Sequence, residues 1–209
     1  MRVIGGEFRG RRLTTLSAQH TRPTTDRVRE AWASTMQHTL ASGLDSAVML
    51  DAFAGSGALG IEMLSRGASH VVFCEQDAHA LRALRENLSL LGLDKDSRAR
   101  VVNKDVFSAQ AISAILASHP FDVIILDPPY ATPVSLIAHL ITRLAARSLL
   151  KDVCVVSYEH AALNRVNSEQ LDNLLSSSMS SLHYRVELEA RKKYGTIELD
   201  YIRIELETL

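Results

Sequence analysis

The chain of 209 residues has two cysteines, five prolines and a single tryptophan, and aromatic residues make up 5 % of it. So little cysteine excludes a disulfide scaffold. Both cysteines, Cys74 and Cys154, fall inside apolar strand-like runs, which predicts buried free thiols and a reducing, cytoplasmic setting. Apolar stretches stop at four or five residues, as at Val123–Leu126, far short of a membrane span. No apolar run follows the N-terminal arginines, so no secretory signal is expected. The eight histidines are scattered without ligand spacing, and no metal is expected. What remains is 46 % hydrophobic and 22 % charged, the range of a folded globular chain rather than a disordered one.

The net charge of −1 conceals an asymmetry. Residues 1–30 carry seven arginines against three acids, a net of +4, whereas the other residues sum to −5. Concentrated arginine beside a mildly acidic body suggests either a local anionic partner or a solvated basic extension. Residues 2–13 are expected to form a short hairpin turning at Gly5-Gly6, and residues 14–25 a loop. Asp26 is placed as the N-cap of a helix carrying Val28, Ala31, Trp32, Met36 and Leu40 on one face. This divides the chain into a basic extension, 1–25, and a main domain, 26–209.

From residue 47 strands and helices alternate. Strands are expected at 48–50, 70–75, 100–105, 121–127 and 153–158, with helices at about 58–66, from Asp77 through Leu91, near 108–117 and at 134–149. Because the strands are continuously apolar, the expected fold is α/β, a mostly parallel sheet with helices on both faces. Past a serine-rich loop at 176–181, two alternating runs joined through Lys193-Tyr194-Gly195 predict an antiparallel C-terminal hairpin at the sheet edge, with a bulge at 201–202.

Asp51-Ala-Phe-Ala-Gly-Ser-Gly-Ala-Leu-Gly60 follows the first strand, and Gly55, Gly57 and Gly60 fit G-x-G-x-x-G. Glu75 ends the next strand, where a carboxylate can accept from ribose hydroxyls, and Asp105 ends the third, within reach of an adenine amine. Three acids beside a glycine loop point to an adenosine-type ligand. Phosphate favours a helix N-terminus without neighbouring acids, whereas S-adenosylmethionine has no phosphate and carries a sulfonium and an ammonium. Asp51 suits that ammonium, or alternatively caps the amides of its own loop.

Asp127-Pro128-Pro129-Tyr130 closes the most apolar strand. It is either a rigid strand exit or a reaction motif. Here the sequence resembles the class I S-adenosylmethionine-dependent methyltransferases, whose D-P-P-Y holds an exocyclic amine. Residues 1–13, 21–31, 51–66, 127–130 and Lys193-Tyr-Gly-Thr196 further resemble the RsmD family, along essentially the whole chain. That resemblance implies transfer of methyl from S-adenosylmethionine to N2 of a guanine, position 966 in the usual bacterial numbering, of 16S ribosomal RNA. It assigns the amine to Asp127, Pro128, Pro129 and Tyr130. It assigns the cofactor to Asp51, Phe53, Ala54, Gly55, Ser56, Gly57, Glu75, Gln76, Asp105 and Val106, and RNA phosphates to Arg2, Arg9, Arg11, Arg12, Arg22 and Arg27. The implied partner is the small ribosomal subunit or its assembly intermediate, met by a cytoplasmic monomer without membrane contact. The alternatives are an N-methyltransferase acting on adenine or a protein amide, an NAD-dependent oxidoreductase, and a non-enzymatic RNA-binding protein.

Overall fold

The computed structural model describes residues 1–15, 26–40, 43–117, 120–162 and 165–207. Seven strands form one sheet: β1 (Val48–Asp51), β2 (His70–Cys74), β3 (Ala99–Val102), β4 (Phe121–Leu126), β5 (Leu150–Ala161), β6 (Tyr184–Tyr194) and β7 (Ile197–Leu206). Their spatial order is β3-β2-β1-β4-β5-β7-β6. β1 to β5 run parallel, while β7 is antiparallel to both β5 and β6. The helices are α1 (Asp26–Thr39), α2 (Ala58–Ser65), α3 (Ala78–Leu90), α4 (Ala109–Ile115), α5 (Val134–Ala145) and α6 (Arg165–Ser180).

The apolar strands are explained by burial on both faces. Alternate residues of β4 enter opposite clusters: Ile124 and Leu126 join Ile112, Ile141 and Leu175 from α4, α5 and α6. Val123 and Ile125 join Trp32, Ile61 and Leu84 from α1, α2 and α3. A strand covered on both faces, such as β4, therefore needs apolar residues at every position, unlike a half-exposed strand. The sequence order runs outward from β1 to β3, then returns to place β4 on the other side of β1. That reversal between β1 and β4 opens a crevice at the carboxyl ends of the strands, the ordinary ligand position in such sheets.

Three expectations are corrected. The serine-rich stretch is helical, because Leu171, Leu175 and Met179 recur every four residues and are buried beneath the serines, so α6 continues to Ser180. The bulge lies at Glu189 of β6, between the pairs Leu188–Ile202 and Ala190–Tyr201. The change of phase at 201–202 arises because β7 lies inside the sheet and is buried from Ile197 to Ile202.

The N-terminal segment is the third correction. Its strand pairing is a single antiparallel bridge, Arg2 to Arg12, with the Val3 amide donating to Arg11 and the Gly10 amide to Val3. Gly5-Gly6 makes no tight hairpin turn but lies against the end of α2. A Cβ on Gly6, whose φ is +77°, would come within 1.7 Å of the Ser65 carbonyl oxygen. The buried Glu62 accepts the Ile4 amide at 2.8 Å and the Gly5 amide at 2.9 Å. Buried Asn87 accepts the Thr14 amide at 2.7 Å and donates to the Thr14 and Ser56 carbonyls. Val3 and Leu13 are buried in the same cluster as Trp32. The expected loop of residues 14–25 lies, from residue 16 onward, outside the described residues.

Candidate functional site

The crevice is built from loops that leave β1, β2, β3 and β4. After β1, Asp51 is 1 % exposed, and its Oδ2 accepts the Gly60 amide at 3.1 Å. This cap draws the glycine loop back over the strand end and starts α2. Gly60 must be glycine here, because a Cβ would stand 2.4 Å from the Phe73 ring of β2. Within the loop the Ala54 amide donates to the Cys74 carbonyl, and the Gly55 amide donates to Glu75 Oε2 at 2.7 Å.

Glu75 follows β2 directly. Its other oxygen accepts the amides of Gln76 at 2.8 Å and Asp77 at 2.7 Å. Both oxygens are thus held in place, with lone pairs remaining for an outside donor. Gln76 is exposed, Ala54 and Ser56 are buried, and Gly55 and Phe53 are half-buried.

β3 ends at Val102 rather than at Asp105. Asp105 stands in the following loop, where Oδ1 accepts the Phe107 amide at 3.0 Å and its carbonyl accepts from Ser108. Val106 is buried, and the rings of Phe53 and Phe107 meet with centroids 5.7 Å apart. Phe107, which sequence reasoning passed over, therefore ties the loop after β3 to the loop after β1. An aromatic two residues past Asp105 was the available signal.

Asp127 follows β4, which pairs with β1 so that Asp51 lies opposite Ile125. Pro128 is buried, Pro129 is exposed, and Tyr130 reaches solvent with 49 % of its surface. The Pro129 carbonyl closes a turn by accepting the Thr132 amide. Loss of water around the carboxyls dominates the electrostatics. Burial, opposed by the Gly60 amide and reinforced by the charges of Asp127 and Glu75, pushes Asp51 up to about 7. Burial likewise pushes Asp127 up to about 6. Burial together with Asp51, Glu75 and Asp105 drives the Cys74 thiol up to about 12, so it is no nucleophile. The crevice is thus an electronegative pocket suited to a cation and hostile to a pyrophosphate.

Beside Asp127 a narrow cleft of about 10 Å³ opens toward α1, lined by Arg29, Trp32, Ser157, Glu159 and apolar side chains such as Leu59. It falls far below the roughly 300–1,000 Å³ of pockets that enclose whole small ligands, and admits a group about the size of a water molecule, such as one polar atom on a ligand's edge. The Trp32 indole N–H donates to Ser157 Oγ at 2.8 Å. Sequence reasoning missed Trp32 as a site residue and counted Arg29 only among the arginines before residue 30 that would face RNA phosphates, whereas it is buried. The signal was an arginine between Val28 and Trp32 on an apolar helix face.

Asp26 is the first residue of α1. Its carboxylate accepts from Arg29 Nη2 at 2.7 Å and from Arg2 Nε at 3.1 Å. Arg29 also donates to the Arg2 carbonyl at 2.7 Å, so the basic segment adjoins the cleft. Arg2 and Arg12 border a shallow groove, and Arg9, Arg11 and Arg27 are exposed nearby in sequence. Arg22 lies outside the described residues. Among the described residues no cluster of His, Cys, Asp and Glu could hold a metal, and no helix is long and apolar enough to cross a membrane.

The family model described as Conserved hypothetical protein 95 matches residues 1–183. Ribosomal RNA small subunit methyltransferase D of Escherichia coli K12 is 42 % identical over 130 residues, 62 % of this chain and 60 % of the relative. The protein of the same name from Haemophilus influenzae is 38 % identical over 130 residues, 62 % of this chain and 64 % of the relative. The match thus spans less than two thirds of the length of these curated relatives. The solved structure of yhhF from Escherichia coli is 29 % identical, covers 99 % of both chains and superposes with a TM-score of 0.71.

Proposed function

The chain belongs to the Conserved hypothetical protein 95 family, the RsmD family, and we propose that it methylates the exocyclic N2 amine of a guanine in 16S ribosomal RNA. The methyl donor in this reading is S-adenosylmethionine, and position 966 is the target suggested by the family resemblance. The observation that carries the reading is the Asp127 carboxyl at the sheet's switch point, beside Asp51 and followed by Pro128-Pro129-Tyr130. The names of the relatives supply the ribosomal RNA.

The donor set fits S-adenosylmethionine. Asp51, Glu75, Asp105 and Asp127 gather carboxylates around the glycine loop, which favours a sulfonium and an ammonium and disfavours NAD. In this reading Asp51 faces the ammonium and Glu75 accepts from the ribose. The 53–57 loop packs along the ligand, while Asp105 and Val106, with Gln76, border the adenine. When bound, the cofactor supplies an electrophilic methyl group.

The remaining work falls to the protein. A base amine is a poor nucleophile, because its lone pair is delocalised into the ring. Asp127 Oδ and the Pro128 carbonyl accept its two N–H bonds, localise the lone pair and offset the positive charge that grows on nitrogen. The two prolines keep these acceptors from turning, and holding the amine in line removes about 7–11 kcal/mol of entropic barrier. Tyr130 offers a ring face for stacking on an extruded base. Once methylated, the nitrogen sheds its proton to water. Arg2, Arg9, Arg11, Arg12, Arg22 and Arg27 face phosphates, so residues 1–25, with Arg27 beside them, grip RNA while the domain 26–209 performs transfer. The same reading makes the protein a cytoplasmic monomer that meets the small subunit or its assembly intermediate.

The test is transfer of labelled methyl to small-subunit RNA from cells lacking the protein. Asp127→Ala should abolish label that wild type deposits on guanine. Equal label from both proteins would contradict the role of Asp127.

A further inference from the structure

Arg29 is 1 % exposed, yet its Nε and Nη1 have no hydrogen-bond partner among the described residues. Its third nitrogen, Nη2, is held at 2.7 Å by both Asp26 and the Arg2 carbonyl. The guanidinium is therefore fixed in position with part of its donor capacity unused. Buried donors in native proteins are nearly always satisfied, because an unsatisfied one forfeits its hydration. Arg29 lines the cleft that also contains Asp127, and it is the one cation among that cleft's lining residues. A fixed donor at one place and an acid acceptor at another describe a complementary ligand. It must carry an N–H donor on one edge and an acceptor, small enough to enter the cleft, on another.

We propose that Arg29 is the specificity residue of the base site, donating to the six-position carbonyl of a guanine whose two-position amine lies at Asp127. The inference rests on the methyltransferase reading above and adds how guanine is chosen. Adenine presents an amine at the six position, whose hydrogens meet the Arg29 donors and leave them unsatisfied. A site built to bond one polar group rejects an analogue lacking it far more strongly than an apolar pocket does. Basic side chains outside the cleft, such as Arg11 and Arg12, contribute nothing to this choice.

Trp32 provides the readout, because it lines the same cleft and is the chain's only tryptophan. Its fluorescence is followed as guanosine 5′-monophosphate or 2,6-diaminopurine riboside 5′-monophosphate is added, with S-adenosylhomocysteine present. The two nucleotides share the two-position amine and differ at position six and in the proton on N1, so the Arg29 substitutions assign the difference at position six. Wild type should bind the guanine nucleotide at least tenfold tighter, the scale of one hydrogen bond to a charged group. In Arg29→Gln the ratio should fall toward one, and Arg29→Lys should lie between. Equal binding by wild type, a Trp32 signal indifferent to the guanine nucleotide, or a ratio that survives both substitutions would overturn the proposal. A purely structural Arg29 would weaken both nucleotides alike and leave the ratio unmoved, which counts against it too. The wild-type comparison needs no variant to fold. Preference for the guanine nucleotide without methyl transfer to guanine would overturn the activity and leave the Arg29 contact standing. Transfer to guanine with equal nucleotide binding would do the reverse.

Discussion

Asp51 accepts the Gly60 amide while buried among other carboxyls, so its proton is held more tightly than in water, with a pKa of about 7. A cationic ligand prefers the ionised carboxylate, so binding must release that proton. Affinity for S-adenosylmethionine should therefore rise with pH below about 7, by up to tenfold per unit for one proton, and level off above it. Calorimetric titration between pH 6 and 8 checks this, and Asp51→Asn should bind weakly with a flat profile. At Asp127 the expected loss is kinetic. Asp127→Asn keeps the shape but not the charge, and single-turnover transfer should slow by on the order of 10²–10³. Sequence pattern alone identified both acids as strand-end residues. It left Asp51 divided between ligand and cap, and the structure shows the cap. It grouped Arg29 with the exposed basic residues, because a buried arginine is uncommon and looks, in one dimension, like the exposed Arg27 and Arg2.

Among the elements, α2 and β2 meet at Gly60, where a Cβ would fall 2.4 Å from a Phe73 ring carbon. Gly60→Ala should therefore destabilise the protein by about 1–3 kcal/mol through overpacking, read as a lower urea midpoint. Unchanged stability would show that the helix and strand are less tightly apposed than described. The parallel strands and their helices were legible because burial on both faces leaves continuous apolar runs. The serine-rich α6 was less so, since its three buried apolar residues are outnumbered by the polar residues around them. The N-terminal segment does pair antiparallel with itself, but its turn was misplaced for a different reason. Adjacent glycines served close approach to Ser65 rather than a turn, and a sequence does not show which distant helix a glycine must touch. The exposed arginines of that segment make a separate prediction. Arg11→Ala combined with Arg12→Ala should weaken RNA binding and reduce its salt dependence by roughly one to two counterions. Unaltered binding would assign the segment another role.

Across the whole molecule, β7 sits between β5 and β6 and carries buried charge into the sheet. Asp200, fully buried, accepts from Arg191 Nε at 2.6 Å and faces His160 Nε2 at 3.1 Å. Burial lowers the His160 pKa, but Asp200, the Ala161 carbonyl and Glu198 outweigh it and raise the balance. A histidine whose folded pKa is raised adds stability that is complete below its unfolded value of about 6.5. That stability is lost as pH rises through the folded value. Urea unfolding should show wild-type stability falling as pH rises from 6 to 8.5, relative to a His160→Gln protein. Parallel profiles would mean His160 does not carry the charge.

Methyl transfer itself tests the central claim most directly. Small subunits, their assembly intermediates and naked 16S RNA from cells lacking this protein would be offered labelled S-adenosylmethionine, and the product digested to nucleosides. Label recovered as N2-methylguanosine, and absent with Asp127→Ala, is the predicted result. Label in adenosine or protein, or none on acceptors shown to be unmodified, would contradict it.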